Sequence, residues 1–480
     1  MVRRQLAVAS LVAVSVLSAC GNLPVAPAYQ RPVFELPAVE PAMPAEKAVD
    51  FLSWWKAFQD PVLDALLQEA ASQSQDLALA SARIEEARAS LNLNQANFYP
   101  SVDLNATASR QRSSENSASA SPGFSPYSSN LQVGLSASYE IDFWGKFARA
   151  DDAARARLLS QTAARGTVLT SLYANVAQGY FALRALDAQL VLAEQTLSTR
   201  TENLRLQRRR MEGGVIGELD LRQAEAEAAG VEATLQVTRQ NRRNAESALA
   251  LLLGRQPAAI VQPAVARGAE IAALYALQVV PANLPSEVLN RRPDLVSAEQ
   301  NLIAANADIV QARTAYFPRI GLTAALGQQS RDLSTLLDPA SLFWSMLGNL
   351  TLPIFRAGSI DAVVAAANAR QKQALAQYTQ AVQSAFRDVG DALANVGAGR
   401  DIVTTLVRRI ASLKSTLRLA DLRYQNGYTN YLEVLSAQRD LAQAEIALID
   451  AERIQLSAVV GVYRALGGGW DADPAVALKP

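Results

Sequence analysis

The residue types that carry most enzymatic chemistry are scarce in this chain of 480 residues. It has no histidine and one cysteine, which excludes Ser-His-Asp and Cys-His catalysis, histidine-ligated zinc and any disulfide within the chain. Asp and Glu are plentiful, but no feature singles out two carboxylates that would face each other in a pocket. The pair Gly145-Lys146 has Glu140 where a nucleotide-binding loop would need its first glycine. We therefore predict a protein that is not an enzyme, with no catalytic residue, metal site or bound cofactor.

The single cysteine, Cys20, has the context of a lipid-attachment site. A short basic start precedes an apolar stretch from Leu6 to Ala19, which is too short to cross a bilayer. The small residues before Cys20 resemble the processing site of bacterial lipoproteins, where the cysteine receives a diacylglycerol and a fatty acyl group. We expect a signal peptide over 1–19, and Gly21, in place of an Asp, implies the outer membrane. The alternative is an ordinary signal peptide that happens to end at a cysteine.

The rest of the sequence contains an internal repeat. Asp76-Leu77 precedes Pro100 by the same distance that separates Asp294-Leu295 from Pro318. Further along, Gly213-Gly214 precedes Leu219-Asp220 much as Asn426-Gly427 precedes Leu432-Glu433. Because these residue pairs recur in the same order, the sequence predicts two copies of one structural plan, each with a strand pair and a long helical hairpin.

Each copy contains a strand pair in which apolar and polar residues alternate. Leu131, Val133 and Leu135 alternate with Gln132 and Gly134, as do many of their neighbours. This alternation is typical of a barrel strand with one lipid face and one wet face, and equally of a half-buried soluble sheet. The strand ends carry aromatic residues of the kind found at membrane interfaces: Phe98, Tyr99, Phe143, Trp144, Tyr316 and Phe317.

Four strands cannot close a transmembrane barrel, because about eight is the smallest closure known. Open sheet edges in lipid would leave backbone groups without hydrogen bonds. The chain must therefore pool its strands with copies of itself, and two copies would give eight strands while three would give twelve.

The strands are followed by very long helices that end in glycine-containing turns. Residues 149–211 and 362–424 contain no proline, and an apolar seam at three- and four-residue spacing predicts coiled-coil packing. Arg439 and Arg453 interrupt this seam on the returning helix. The balance of 45 Lys+Arg against 45 Asp+Glu argues against a nucleic-acid partner.

The predicted organisation has six parts. They are a signal peptide (1–19), a lipidated extended segment (20–60), a first repeat (61–253), a connector (254–285), a second repeat (286–466) and a C-terminal tail (467–480). Within the repeats we expect strands at about 101–112, 130–143, 319–329 and 343–352, long helices at 147–211 and 358–424, and returning helices at 218–253 and 430–466. The fold class is mixed, mainly α with a transmembrane β-barrel.

Several motifs together resemble the OprM/TolC-like outer-membrane efflux protein family, in its lipoprotein branch. They are Leu289–Leu295 (Leu-Asn-Arg-Arg-Pro-Asp-Leu), Leu352–Phe355, Tyr424–Gly427, Asn430–Leu432 and Ala465–Trp470. The resemblance implies a homotrimer with one twelve-stranded barrel and an α-helical periplasmic tunnel. It also implies a periplasmic adaptor and an inner-membrane pump of the RND class as partners of a passive duct.

The same resemblance suggests which residues close the duct. Leu432, Glu433 and their first-repeat counterpart Asp220 would lie at the closed periplasmic end. Ser436 stands where family members usually carry Asp, so a full double ring of carboxylates is not expected. The turn residues Gly213, Gly214, Asn426 and Gly427 would form the helix-hairpin tips that contact the adaptor.

Three further functions compete with export of drugs or other small organic compounds. The first is type I protein secretion, and the second is metal-cation efflux, which the lack of a His or Met cluster makes less favoured. The third, of another class, is a lipid-anchored structural coiled-coil protein whose alternating segments belong to a soluble sheet.

Overall fold

The computed structural model describes residues 29–34, 50–114, 116, 125–276 and 291–471. Cys20, the predicted signal peptide and most of the predicted C-terminal tail lie outside these ranges. The described residues divide into a sheet unit (those within Met1–Val33, Glu85–Ser160 and Glu299–Gln377) and a helical unit (those within Phe34–Ile84, Gln161–Ala298 and Tyr378–Pro480). No helix among the described residues has an apolar stretch of the length that a membrane crossing requires.

The elements follow one another in the order of two similar repeats. In the first half they are α1 (Pro61–Gln73), α2 (Gln75–Ala96), β1 (Ser101–Arg112), β2 (Tyr127–Ile141), α3 (Lys146–Glu212) and α4 (Glu218–Leu252). Two short helices follow, α5 (Pro257–Val261) and α6 (Ile271–Ala276). The second half contains α7 (Pro293–Arg313), β3 (Arg319–Ser330), β4 (Leu342–Thr351), α8 (Ser359–Gln425) and α9 (Tyr431–Ala465).

The sheet unit contains one antiparallel sheet with strand order β1-β2-β3-β4. Its register places like residues opposite each other: the row Leu104, Leu135, Leu326 and Trp344 crosses all four strands. On the opposite face, Thr107, Gln132 and Gln329 form a polar row. Because side chains alternate between faces, this register gives the sheet one apolar and one mainly polar face. Many apolar side chains are solvent-exposed, Trp344 to 75%.

Two glycines let the central strands β2 and β3 approach closely. Gly134 lies opposite Gly327, and a Cβ on Gly134 would stand 2.8 Å from the carbonyl oxygen of Leu326. Beside the strand ends, the Trp144 indole N–H donates to the carbonyl oxygen of Pro318 at 2.8 Å. The Trp144 ring also stacks on Phe317, with centroids 4.6 Å apart. The aromatic residues at the strand ends thus form direct contacts with one another.

In the helical unit, an aromatic core joins the N-terminal segment to the long helices. Residues Phe51–Phe58, expected to be extended, form a 3-10 helix instead. Its buried Trp54 stacks on Tyr463 at 5.1 Å, and Phe58 packs on Phe181 at 5.1 Å. This stretch contains no proline, and the burial of its large rings against the long helices stabilises the helical turn.

A buried carboxylate, Asp60, fixes the segment that was expected to be an irregular connector. It caps α1, accepts a hydrogen bond from the Tyr180 hydroxyl at 2.6 Å and accepts another from the Ala269 N–H at 3.1 Å. Its contact to Ala269 lies just before α6. The prediction of an irregular connector is therefore incomplete, because α5 and α6 form within it.

A second buried polar group, Arg292, explains the motif at the start of α7. Its guanidinium contacts the carboxylates of Asp294 at 2.7 Å and Asp388 at 3.3 Å, and donates to the Ala465 carbonyl at 3.2 Å. Burial works against the charge of Asp388, but Arg387 and Arg292 outweigh it and lower its pKa. Arg292 thereby ties α7, α8 and the end of α9 together.

Candidate functional site

The two helical hairpins of the helical unit reverse through turns of the same design. After α3, the N–H of Val215 donates to the Arg210 carbonyl at 2.8 Å, and after α8 the N–H of Tyr428 donates to the Arg423 carbonyl at 2.9 Å. Gly214 has φ +72° and Gly427 has φ +75°, a left-handed conformation that closes such helix ends and favours glycine. The predicted tip residues Gly213, Gly214, Asn426 and Gly427 all lie in these turns.

Glu433 lies in the first turn of α9, and its carboxylate is held by two donors. The Arg423 guanidinium Nη1 lies 2.9 Å from Oε1, and the Thr429 hydroxyl donates to Oε2. Both donors belong to the turn and the preceding helix. Arg423 is not among the predicted site residues, although it directly precedes the turn residues Tyr424–Gly427.

The other predicted gate residues occupy equivalent places at the starts of α4 and α9. Leu432 is 47% exposed and its counterpart Leu219 is 70% exposed. Asp220 is half-buried in the first turn of α4. No hydrogen bond or ion pair joins Asp220 to Glu433 in the part of the chain that the structure describes. Within one chain, the predicted gate residues therefore lie at corresponding positions without forming one cluster.

Beside the turns, four helices share a small apolar core, which we call the tip core. It comprises Ala224, Ala420, Tyr431, Val434 and Ala437, with Leu204, Leu417 and Tyr424 packed against it. The Tyr424 hydroxyl lies 3.3 Å from the Gln207 amide oxygen, and the Arg210 guanidinium lies 5.3 Å from the Tyr424 ring centre. The tip core thus joins the first hairpin (α3 and α4) to the second hairpin (α8 and α9).

Comparison with known proteins connects this geometry to a family. A profile described as "Outer membrane efflux protein" matches residues 66–255 and 284–468, one match for each repeat. The chain belongs to the outer membrane efflux protein family. As a member, it is the outer-membrane channel component of an efflux system, with the mixed fold of strands and long helical hairpins typical of the family.

Individual members of the family match the chain over nearly its whole length. The probable outer membrane lipoprotein SilC of Salmonella typhimurium is 33% identical over 466 residues, covering 96% of this chain and 98% of SilC. The toluene efflux pump outer membrane protein TtgI of Pseudomonas putida is 36% identical over 419 residues, covering 87% of each chain.

CusC, a cation efflux system protein of Escherichia coli, is 33% identical over 450 residues, which cover 93% of this chain and 95% of CusC. A crystal structure of CusC superposes with a TM-score of 0.83 at 32% identity, covering 93% of this chain and 100% of that one. These matches confirm the predicted family and place the protein in the outer membrane.

Proposed function

We propose that this efflux protein is a passive duct that assembles as a homotrimer around one twelve-stranded barrel. The observation that carries the proposal is the four-stranded sheet, with its continuous apolar face and no further strand on β1 or β4 in the described residues. Exposed strand edges in lipid would cost several kcal/mol per unsatisfied group. Three sheets joined edge to edge remove every open edge, and three is the number that the family resemblance implies.

The duct receives its substrate from an inner-membrane pump of the RND type through a periplasmic adaptor protein. Support comes from the names of relatives, which include an efflux pump protein and an efflux system protein. A channel without an energy source needs such a partner. The adaptor binds the exposed turns that contain Gly213, Gly214, Asn426 and Gly427, where the backbone is not shielded by neighbouring side chains.

Cys20 carries a diacylglycerol and a fatty acyl group in the mature protein. The name of the relative SilC, an outer membrane lipoprotein, supports this assignment. Two or more acyl chains give stable membrane attachment, whereas one chain gives marginal attachment.

Leu432, Glu433 and Asp220 narrow the duct at its periplasmic end. In a trimer, three exposed Leu432 side chains meet by apolar contact, and three Glu433 carboxylates form an acidic ring that attracts cations. Like charges repel, and Arg423 offsets part of that repulsion by pairing with each Glu433 at 2.9 Å. Ser436 adds no second ring of carboxylates.

Drugs and other small organic compounds are the substrates. The relative TtgI is named for toluene efflux, and this chain has no His and few Met with which to bind soft metal ions. Metal cations are the second candidate, because the relative CusC belongs to a cation efflux system.

Complementation in a bacterium separates these substrates. The chain is expressed in a strain that lacks its own outer-membrane channel but retains a periplasmic adaptor and an RND pump. Restored ethidium efflux and toluene tolerance support organic substrates, whereas restored copper or silver tolerance alone supports cations. Crosslinking of detergent-extracted protein tests the assembly: a trimer is expected, and a folded, monodisperse monomer would refute the duct.

A further inference from the structure

A cavity of about 460 Å³ lies within the sheet unit, where β2 and β3 meet the helices α3, α7 and α8. We call it the junction recess. Its volume falls in the range of small-molecule sites, roughly 300–1,000 Å³. Basic side chains outnumber acidic ones in its lining, which contains Lys146, Arg157, Arg319, Arg370, Glu140, Asp142 and Asp308. The recess therefore has an excess of positive charge.

Two of the three carboxylates in the junction recess already have a basic partner there. The ammonium group of Lys146 donates to Oε1 of Glu140 at 2.9 Å. The guanidinium of Arg157 on α3 donates to Oδ2 of Asp308 on α7. These two pairs cancel each other's charge within the recess.

The third carboxylate, Asp142, caps the start of α3. Its Oδ2 accepts hydrogen bonds from the backbone N–H groups of Phe147 at 3.1 Å and Ala148 at 2.9 Å. Its Oδ1 is buried and has no donor. That oxygen is free to accept a hydrogen bond from a hydroxyl group of a ligand.

The two remaining arginines of the junction recess, Arg319 and Arg370, are not neutralised. Both side chains are exposed, and neither forms a hydrogen bond or ion pair within the part of the chain that the structure describes. A guanidinium presents several N–H donors in a planar fork that matches a carboxylate, sulfonate or phosphate group. Two such groups on one cavity form an attractive site for an organic anion.

The junction recess opens on the polar side of the sheet. Arg319 lies on the same face of β3 as Gln329, and Glu140 lies on the same face of β2 as Gln132, because side chains alternate along a strand. In the proposed duct the apolar face meets lipid, so the polar face meets water. A dissolved anion therefore reaches the recess more readily than a lipid headgroup does.

We propose that the junction recess binds small organic acids as they pass through the duct. Arg319 and Arg370 hold the carboxylate or sulfonate group, and Oδ1 of Asp142 accepts from a hydroxyl group. A homotrimer contains three such recesses. The assignment rests on the proposed duct, and it adds organic anions as a substrate class and a binding site away from the periplasmic turns.

The test measures dye binding to the purified full-length protein in detergent by fluorescence anisotropy at low salt. The probe is 5-carboxyfluorescein, an organic anion with a phenolic hydroxyl. Rhodamine 123 has the same xanthene ring system with a positive charge and is the matched control dye. The wild type should bind the anion at least tenfold more tightly than the cation. Equal affinities would show that ring size rather than charge determines binding, and would overturn the proposal.

Substitution of the two arginines identifies the site. Arg319→Gln and Arg370→Gln should each raise the Kd for 5-carboxyfluorescein roughly tenfold, as expected for the loss of a hydrogen bond to a charged group. Arg319→Lys keeps the charge but loses the planar fork, so a smaller rise is expected. Arg331→Gln is the control, because Arg331 is an exposed arginine just beyond the opposite end of β3. An unchanged Kd in both Arg319→Gln and Arg370→Gln would refute the assignment.

Competition separates a dissolved anion from a lipid. Sodium citrate should displace the dye, whereas phosphatidylglycerol added to the detergent micelles should not. Displacement by the lipid alone would assign the recess to a headgroup and overturn the proposal. Planar-bilayer recordings test the duct independently. A protein that binds the anion but forms no channels would overturn the duct, and one that forms channels but binds no anion would overturn only the recess.

Discussion

At the residue scale, the proposed gate combines an apolar and a charged side chain at the start of α9. Leu432 has no polar group to satisfy and is free to meet its copies in a trimer. Glu433 is oriented by Arg423 and Thr429, so its carboxylate has a defined position. Arg439 follows Glu433 by six residues on α9, and residues at that spacing do not share a helical face. Its actual partner, Glu227, lies on another hairpin, which no local spacing rule reveals.

Substitutions at the proposed gate should change conductance and selectivity separately. Leu432→Ala should raise single-channel conductance because it removes apolar contact, and Glu433→Gln should reduce cation preference because it removes charge. Planar-bilayer recordings measure both quantities. Glu445→Gln is the control, since Glu445 also pairs across a hairpin, with Lys414 at 3.5 Å, but lies farther along α9. Gate variants indistinguishable from the wild type would exclude these residues from the constriction.

Asp421 on α8 offers a pH-dependent prediction. Burial raises the pKa of its carboxyl, so the folded state disfavours the charged form. The neutral Asp421 carboxyl is compatible with the folded state, so the full stability of the protein is present below the unfolded pKa, near 3.8. This contribution to stability is lost as pH rises through the folded pKa. Asp421→Asn should therefore raise the melting temperature at pH 7 and leave it nearly unchanged at pH 3.5. A lower melting temperature of the variant at pH 7 would show that the charge is stabilising.

At the element scale, the sheet is where sequence patterns predict structure best. Alternation predicted β1 at 101–112, where it lies, because each strand has one uniform face and side chains alternate strictly. The second strand begins at Tyr127, three residues before the expected 130, since its polar first residues extend the pairing with β1. The helix seam was only partly predictable: α9 buries large residues such as Leu435 and Leu456, as an apolar seam requires, but it also buries the small residues Ala437, Ala444 and Ala451. Alanine gives only a weak hydrophobic signal, so a pattern of large apolar residues does not reveal these buried positions.

The two faces of β2 should respond differently to the same charge. Leu135→Arg places a guanidinium on the apolar row with Leu104 and Leu326. If that row lies at the membrane midplane, the substitution should lower the free energy of unfolding by about 2–4 kcal/mol. Gln132→Arg places it on the polar face three residues away. Heat stability of the membrane-extracted oligomer, followed by gel mobility, should fall for Leu135→Arg and change little for Gln132→Arg. Equal losses would mean that the apolar face does not meet lipid.

At the scale of the whole molecule, two attachments to the membrane are proposed, and they are separable. Cys20→Ala should abolish fatty-acid labelling because it removes the acylated sulfur. The protein should nevertheless remain detergent-dependent, because the apolar sheet face still meets lipid. Extraction with sodium carbonate followed by immunoblotting measures this. Release of the variant into the soluble fraction would favour a lipid-anchored coiled coil, and labelling that survives would place the lipid elsewhere.

The family and the internal repeat could be predicted from the sequence, because both depend on patterns that recur along the chain. The aromatic core around Trp54 and the buried carboxylate of Asp60 could not be predicted, because their contacts join segments far apart in sequence. The motif Gly467-Gly468-Gly469 shows the reason. A Cβ on Gly468 would stand 2.9 Å from Cδ1 of Trp54, so the glycine is required by a residue more than four hundred positions earlier.

The unpaired edges of the sheet also have a genetic consequence. If β4 of one subunit must pair with β1 of the next, a subunit with a defective β4 spoils every assembly that it enters. When defective and normal chains are made in equal amounts and mix at random, roughly one trimer in eight contains normal chains alone. A single mutant allele on a plasmid would then act dominantly and sensitise a cell that still carries the intact gene.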